Sequence, residues 1–69
     1  MGYEERLAGI KGIHPDMPIK QAKSVAILLD MGWEWCGLGA NNSVDIKRTI
    51  MNDFTESAYI REDGTFRCA

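Results

Sequence analysis

Apart from the methionines, three side chains in this 69-residue sequence could act as nucleophiles or soft metal ligands: Cys36, Cys68 and His14. A catalytic cysteine needs a base such as histidine within hydrogen-bonding reach and a third group that orients the base. No local pattern around Cys36 or His14 supplies them. Zinc sites usually contain closely spaced ligand pairs such as Cys-x-x-Cys, whereas these three residues lie far apart. We therefore predict no catalytic residue, no metal and no cofactor, and two partly buried free thiols.

The segment from Gly37 to Asn42 contains two glycines and precedes a predicted helix, an order found in phosphate-binding loops. A P-loop ends in Gly-Lys-Ser/Thr, whose lysine and hydroxyl contact phosphate and magnesium, and this segment has no such ending. The dinucleotide fingerprint G-x-G-x-x-G needs a third glycine where this chain has Asn42. The segment is therefore predicted to be an ordinary loop that leads into a capped helix.

Three aromatic residues carry the most information about binding: Trp33, Trp35 and Tyr59. Trp33 and Trp35 would point to one face of a strand, because side chains alternate along a strand. If that face is buried, both are core residues. If it is exposed, they form an aromatic patch of the kind that, with arginine, supplies most of the binding energy at interfaces. Both alternatives stay open, and for the second the predicted partner-binding residues are Trp33, Trp35, Tyr59, Arg61 and Arg67.

Two helices are predicted in the first half of the chain. Residues 3–11 form a weak candidate because glycine is unfavourable inside helices. Residues 17–31 form a strong one, with apolar residues repeating at helical spacing. Asp16 is its predicted N-cap. Gly32 is the predicted left-handed residue that ends the helix and places Trp33 in a Schellman motif.

The second half is predicted to contain strands and one more helix. Residues 33–37 predict a short strand because tryptophan favours β structure. Residues 43–57 predict a helix, since its apolar residues fall on one helical face. These residues are Ile46, Ile50, Met51, Phe54 and Ala58.

Residues 58–69 predict a hairpin that turns at Glu62-Asp63-Gly64. A two-residue loop would mix apolar and charged side chains on each face. A three-residue loop with a left-handed Gly64 keeps one face apolar, so we predict that register. It pairs Ile60 with Phe66 and Ala58 with Cys68.

These elements predict a single α+β domain spanning residues 1–69. Two or three short helices are expected to pack on one face of a small two- to three-stranded antiparallel sheet. The predicted order is α-α-β-α-β-β.

Composition argues against several function classes. Eight Lys and Arg against ten Asp and Glu give a net charge of −2, whereas duplex-binding proteins usually carry a basic excess. The N-terminal residues lack the pattern of a signal peptide. The longest apolar run, residues 25–29, is far too short to cross a bilayer. We expect a cytoplasmic protein without a membrane partner.

A helix at 43–57 followed by a hairpin at 58–69 resembles the recognition helix and wing of a winged-helix domain. The resemblance covers about half of the chain and implies nucleic-acid binding as an alternative function. The residues that it assigns to this role are Lys47 and Arg48 on the helix and Arg61 and Arg67 on the wing. The chain departs from the family between its helices, where residues 32–42 replace a tight turn with a strand and a glycine loop.

By elimination, the leading expectation is a small non-enzymatic interaction protein, a regulator or inhibitor that binds a larger protein. Compact chains of this size and charge are common among bacterial and phage-encoded regulators, including inhibitors of host defence enzymes such as the anti-CRISPR proteins. No residue is specific to that class. A homodimer is a further expectation, because a small core gains from burying an exposed face against a second copy.

Overall fold

The computed structural model describes residues 2–68 and contains two helices followed by a four-stranded antiparallel sheet. The helices are α1 (Tyr3–Ile13) and α2 (Ile19–Asp30), and the strands are β1 (Glu34–Leu38), β2 (Val44–Met51), β3 (Phe54–Ile60) and β4 (Phe66–Cys68). The strands lie side by side in chain order. The α+β class is confirmed, and the sheet has one more strand than the largest predicted. Neither helix is long and apolar enough to cross a membrane.

The predicted helix at 43–57 is wrong, because these residues form most of the β2–β3 hairpin. The glycine loop therefore leads through a short 3-10 turn (Ala40–Asn42) into a strand. Residues 44–49 alternate between buried and more exposed side chains, which is the period of a strand. Their β-branched residues favour a strand. Asn52 and Asp53 then form a two-residue turn between the paired Met51 and Phe54.

Of the two predictions made for the ends of α2, the one for its C-terminus is correct and the one for its N-terminus is wrong. At the C-terminus, the N–H groups of Gly32 and Trp33 donate to the carbonyls of Leu29 and Leu28, both at 3.1 Å, and Gly32 has φ +108°. This is the predicted Schellman motif. At the N-terminus the helix begins after Pro18, and no side-chain cap is formed, so the predicted Asp16 N-cap is wrong.

The core lies between the helices and the inner face of the sheet, meaning the face that α1 and α2 cover. Val25 and Ala26 of α2 are fully buried, and Ile10 is the buried residue of α1. From the sheet side the buried apolar residues are Val44, Ile46, Ala58 and Ile60, with Trp33 just before β1.

One buried polar side chain joins α2 to the sheet. Gln21 is 1% exposed, and its Nε2 donates to the carbonyls of Asn42 at 2.8 Å and Ile60 at 2.9 Å. These carbonyls belong to the 3-10 turn and to the end of β3. A single carboxamide therefore fixes α2 against two separate segments, because both of its donated protons have a defined acceptor.

The β3–β4 hairpin has the predicted register. Ile60 pairs with Phe66 and Ala58 with Cys68, and Gly64 has φ +89°. The turn also lies against α2, where the Ser24 hydroxyl donates to the Gly64 carbonyl at 2.8 Å. A Cβ atom at position 64 would lie 3.0 Å from the carbonyl oxygen of Lys20. Glycine is therefore needed here both for its backbone angle and for its lack of a side chain.

Replacing Gln21 with leucine should lower the free energy of unfolding by about 2 kcal/mol, because the buried carbonyl of Ile60 and the partly buried carbonyl of Asn42 lose their donor. Urea denaturation followed by tryptophan fluorescence would measure the change. Lys23→Leu is the matched control on the exposed side of the same helix and should change stability by less than about 0.5 kcal/mol. Equal stabilities of wild type and Gln21→Leu would contradict the anchoring role.

Gly64→Ala should destabilise the fold by about 1–3 kcal/mol, because it combines a positive φ with a close backbone contact. Gly9→Ala is the matched control, since position 9 is helical and a Cβ there meets nothing within 4 Å. That change should stabilise by about 0.5–1 kcal/mol. Thermal unfolding of the two variants should therefore shift in opposite directions, and parallel shifts would refute this account of the turn.

Candidate interaction surface

The outer face of the sheet, opposite the core, is not covered by either described helix. Alternation along the strands places nine polar or aromatic side chains on it, and all are exposed or half-buried. They are Glu34, Asp45, Lys47, Thr49, Thr55, Ser57, Tyr59, Arg61 and Arg67. This face is a polar, solvent-facing surface on a hydrogen-bonded scaffold.

Four of these residues form a cluster around one aromatic ring. The strand register places Tyr59 of β3 between Asp45 of β2 and Arg67 of β4. The Arg61 guanidinium carbon lies 6.0 Å from the centre of the Tyr59 ring, at the outer limit of a cation–π contact. We name Asp45, Tyr59, Arg61 and Arg67 the Tyr59 cluster.

An open concavity of about 610 Å³ lies beside this cluster, between the 3-10 turn and the β3–β4 turn. Its lining includes Tyr59, Arg61 and three acidic residues, which are Asp45, Glu62 and Asp63. The lining therefore carries both signs of charge, with an acidic excess. Such a surface matches the mixed charges of another protein better than the uniform negative charge of a phosphate backbone.

Trp33 lies on the inner face and is 5% exposed. Its ring meets Phe66 edge to face at 5.4 Å between centroids, and the Arg48 guanidinium carbon lies 4.6 Å from the centre of the Trp33 ring. The Nε–H of Arg48 donates to Glu56 at 2.7 Å. Trp33 is therefore a packing residue that a partner could not reach, which resolves the open alternative for this indole in favour of the core.

Trp35 is half-buried and packs at the edge of the core. Its ring stacks on His14 with 5.2 Å between centroids and 13° between planes. His14 also lines a groove of about 390 Å³ formed mainly by the connector between the helices. The five predicted contact residues are thus divided by the sheet, with both indoles on the inner side and Tyr59, Arg61 and Arg67 on the outer side.

The four cations assigned to nucleic-acid binding do not form a winged-helix surface. Lys47 and Arg48 lie on β2, and their side chains point to opposite faces of the sheet. Arg61 and Arg67 share the outer face with Lys47. Without a helix at 43–57 the chain has no recognition helix there, so the winged-helix resemblance is wrong.

The topology separates the two cysteines among the three candidate reactive side chains. Cys36 and Cys68 are free and exposed, so their predicted partial burial is wrong. They lie on β1 and β4, at opposite edges of the sheet. Three strand spacings amount to about 14 Å, beyond the roughly 7 Å that a disulfide can span between Cα atoms. The His14 ring stacks on Trp35. Within residues 2–68 no group of three His, Cys, Asp or Glu residues is arranged to hold a metal ion.

No family model matches this chain, and no curated protein or solved structure shows significant similarity to it. Function must therefore be inferred from the surface chemistry.

Sequence reasoning missed Asp45 and Lys47 as members of the outer face. Both lie in residues 43–57, which are predicted to be helical and so are given no place in a sheet. The alternation of apolar and polar residues over 44–47 was the signal in the sequence that could have placed them.

Two hydrogen bonds from Thr65 to Asp63 Oδ1, from its hydroxyl at 2.7 Å and its backbone N–H at 3.0 Å, lower the pKa of Asp63 below its ordinary value of 3.8. Since the folded pKa lies below the unfolded one, this carboxylate favours folding above about pH 3.8, and the contribution is lost as pH falls through the folded pKa. Thr65→Val, which removes the hydroxyl donor, should raise the pKa of Asp63 in a carboxyl NMR titration. Thr49→Val, on the outer face of the sheet, should leave the pKa of Asp63 unchanged. An ordinary Asp63 titration in the wild type would contradict these contacts.

Proposed function

We propose that this chain is a small non-enzymatic interaction protein, a regulator or inhibitor that acts by binding a larger protein through the Tyr59 cluster. The observation that carries the proposal is an aromatic ring beside two arginines on a sheet face that neither described helix covers. Tyrosine and arginine are among the residues most enriched at the energetic centres of interfaces.

The scaffold supports this proposal because it holds the cluster in place before binding. Tyr59 lies in the middle of a sheet, paired on both sides, and two side chains of α2 bond the segments next to it. Gln21 bonds the carbonyl of Ile60, and Ser24 bonds the carbonyl of Gly64. Binding through such a surface loses less conformational entropy than binding through a mobile loop.

Charge favours a protein partner over nucleic acid. Asp45 is a direct neighbour of Tyr59, and Lys47 is paired in register with Glu34. The whole chain has a net charge of −2. A partner that offers carboxylates to Arg61 and Arg67 and a hydrogen-bond donor to Asp45 would match all three groups.

The test has two stages, capture and titration. Immobilised wild type would be incubated with lysate from the source cells, and each specifically retained protein would be purified, whether or not Tyr59→Ala also retains it. Calorimetry should then show binding at least about 30-fold weaker for Tyr59→Ala, as expected for a central aromatic residue. Arg67→Ala should weaken binding about tenfold.

Lys23→Ala on the exposed side of α2 is the matched control and should bind like the wild type. A partner whose affinity is unchanged by both Tyr59→Ala and Arg67→Ala would refute the surface. Retention of nucleic acid with a steep loss of affinity in salt, starting from about 50 mM, would refute a protein partner and support the alternative function.

A further inference from the structure

The β2–β3 hairpin extends beyond the rest of the sheet. Within residues 2–68, β1 pairs with β2 only as far as Lys47, and β4 pairs with β3 only as far as Ala58. Among the described residues, 48–57 therefore pair only with one another and form a two-stranded ribbon, which we name the hairpin arm. A two-stranded ribbon is marginally stable in water unless one side packs against something.

The inner side of the hairpin arm is apolar and exposed. Ile50, Met51 and Phe54 are 48%, 68% and 62% exposed. Phe54 continues the inner-face alternation of β3, and Ile50 continues that of β2. A register irregularity between Thr49 and Met51 then places Met51 opposite Phe54. The core ends before them, at Trp33, where the ion pair between Arg48 and Glu56 lies. The three apolar side chains thus stand beyond the part of the sheet that the helices cover.

Complementary polar groups lie at the two ends of this apolar strip. The Asp53 carboxylate is in the turn at the tip, and the ion pair of Arg48 with Glu56 is at the base. Only the Nε–H of Arg48 is used in its bond to Glu56, so the guanidinium keeps donors for a second carboxylate. A strip with a carboxylate at one end and guanidinium donors at the other is complementary to itself after a rotation of 180°.

We propose that the hairpin arm is a homodimer interface whose occupant is a second copy of this chain. The two arms pack antiparallel across a two-fold axis, with Ile50, Met51 and Phe54 of each copy covering those of the other. Asp53 of each copy then lies near Arg48 of the partner subunit. The arrangement is closed, because the same patch serves both copies.

The exposed apolar area of the hairpin arm is the size expected for the interface of a weak dimer. If each side chain of this size exposes roughly 150–200 Å² when free, the three leave on the order of 300 Å² of apolar surface per copy. About 57% of the area of an ordinary interface is apolar, so this apolar surface from two copies corresponds to about 1,000 Å² of buried area in total. That total lies near the lower limit for specific association, so the dimer should form and dissociate with concentration.

A second copy fits the arm better than a lipid surface does. Asp53 at the tip would be repelled by anionic lipid headgroups and would lose water on entering any bilayer. A second copy instead offers a cation at the required place. This surface is distinct from the Tyr59 cluster, which lies on the outer face, so the homodimer and the proposed partner can be tested independently.

Sedimentation equilibrium of the full chain from about 10 μM to about 1 mM covers the affinity expected for this area. The apparent mass should rise from the monomer value of 7.7 kDa towards twice that value. The double variant Met51→Lys/Phe54→Lys should raise the dimer dissociation constant at least about 100-fold, with about tenfold from each lost side chain. Asp53→Lys should raise it several-fold, and less in high salt.

Ile13→Lys is the matched control, since Ile13 is 76% exposed on α1 and lies outside the arm. It should dimerise like the wild type, and so should Tyr59→Ala. Circular dichroism would establish that every variant remains folded. A wild type that is monomeric at about 1 mM, or a double lysine variant that dimerises normally, overturns the proposal. So does wild-type binding to vesicles of phosphatidylcholine and phosphatidylserine that the double variant loses while the wild type stays monomeric.

Discussion

The two hydrogen bonds from the buried Gln21 carboxamide are the constraint on which the rest of this structure depends. A chain of 69 residues has a small core, so packing alone specifies the position of a helix on a sheet only loosely. A buried amide that must satisfy two carbonyls is more selective, because a shift of one residue would leave the Gln21 carboxamide buried without its acceptors. Gln21 therefore sets the position of α2 relative to β3 and the 3-10 turn. The Ser24–Gly64 bond extends the same restraint by one helical turn to the β3–β4 hairpin.

This placement of α2 leaves two surfaces uncovered by the described helices. Both helices lie on the inner face, so the outer face of the sheet faces solvent and carries polar side chains. The covered part of the inner face ends at Trp33, where Arg48 lies over the ring and bonds Glu56. An ion pair at that point keeps charged groups hydrated at the edge of the core while their aliphatic parts cover the indole. Beyond it the hairpin arm has the strand pattern of an inner face without a helical layer. The Tyr59 cluster and the arm are thus consequences of one packing geometry.

Local rules predicted the elements whose geometry depends on a few neighbouring residues. Gly32 predicted the end of α2 because a left-handed residue after a helix imposes its own hydrogen bonds, and burial alone selected the register of the β3–β4 hairpin. Residues 43–57 could not be resolved in this way, since Ile46, Ile50 and Phe54 fit one face of a helix and also the inner side of a hairpin. Only the β-branched residues and the Asn52-Asp53 turn favour the hairpin over the helix. That one error removed Asp45 and Lys47 from the outer face. Trp33 and Trp35 stayed candidates for exposure for a different reason, since alternation pairs them on one face of a strand without saying which face is buried. Gln21 gave no signal at all, because its acceptors are backbone atoms 21 and 39 residues away.

The two proposed surfaces also have a joint consequence. The hairpin arm contributes its inner side to the dimer, whereas the Tyr59 cluster lies on the outer side of the same strands. Pairing of two arms would therefore leave both clusters facing solvent on opposite sides of the assembly. A dimer of this form presents two copies of one binding surface, so a partner with repeated sites would be held more tightly than by either surface alone. A weak dimer is suited to this role, because binding to such a partner would itself raise the local concentration of the chain and stabilise the arm contact.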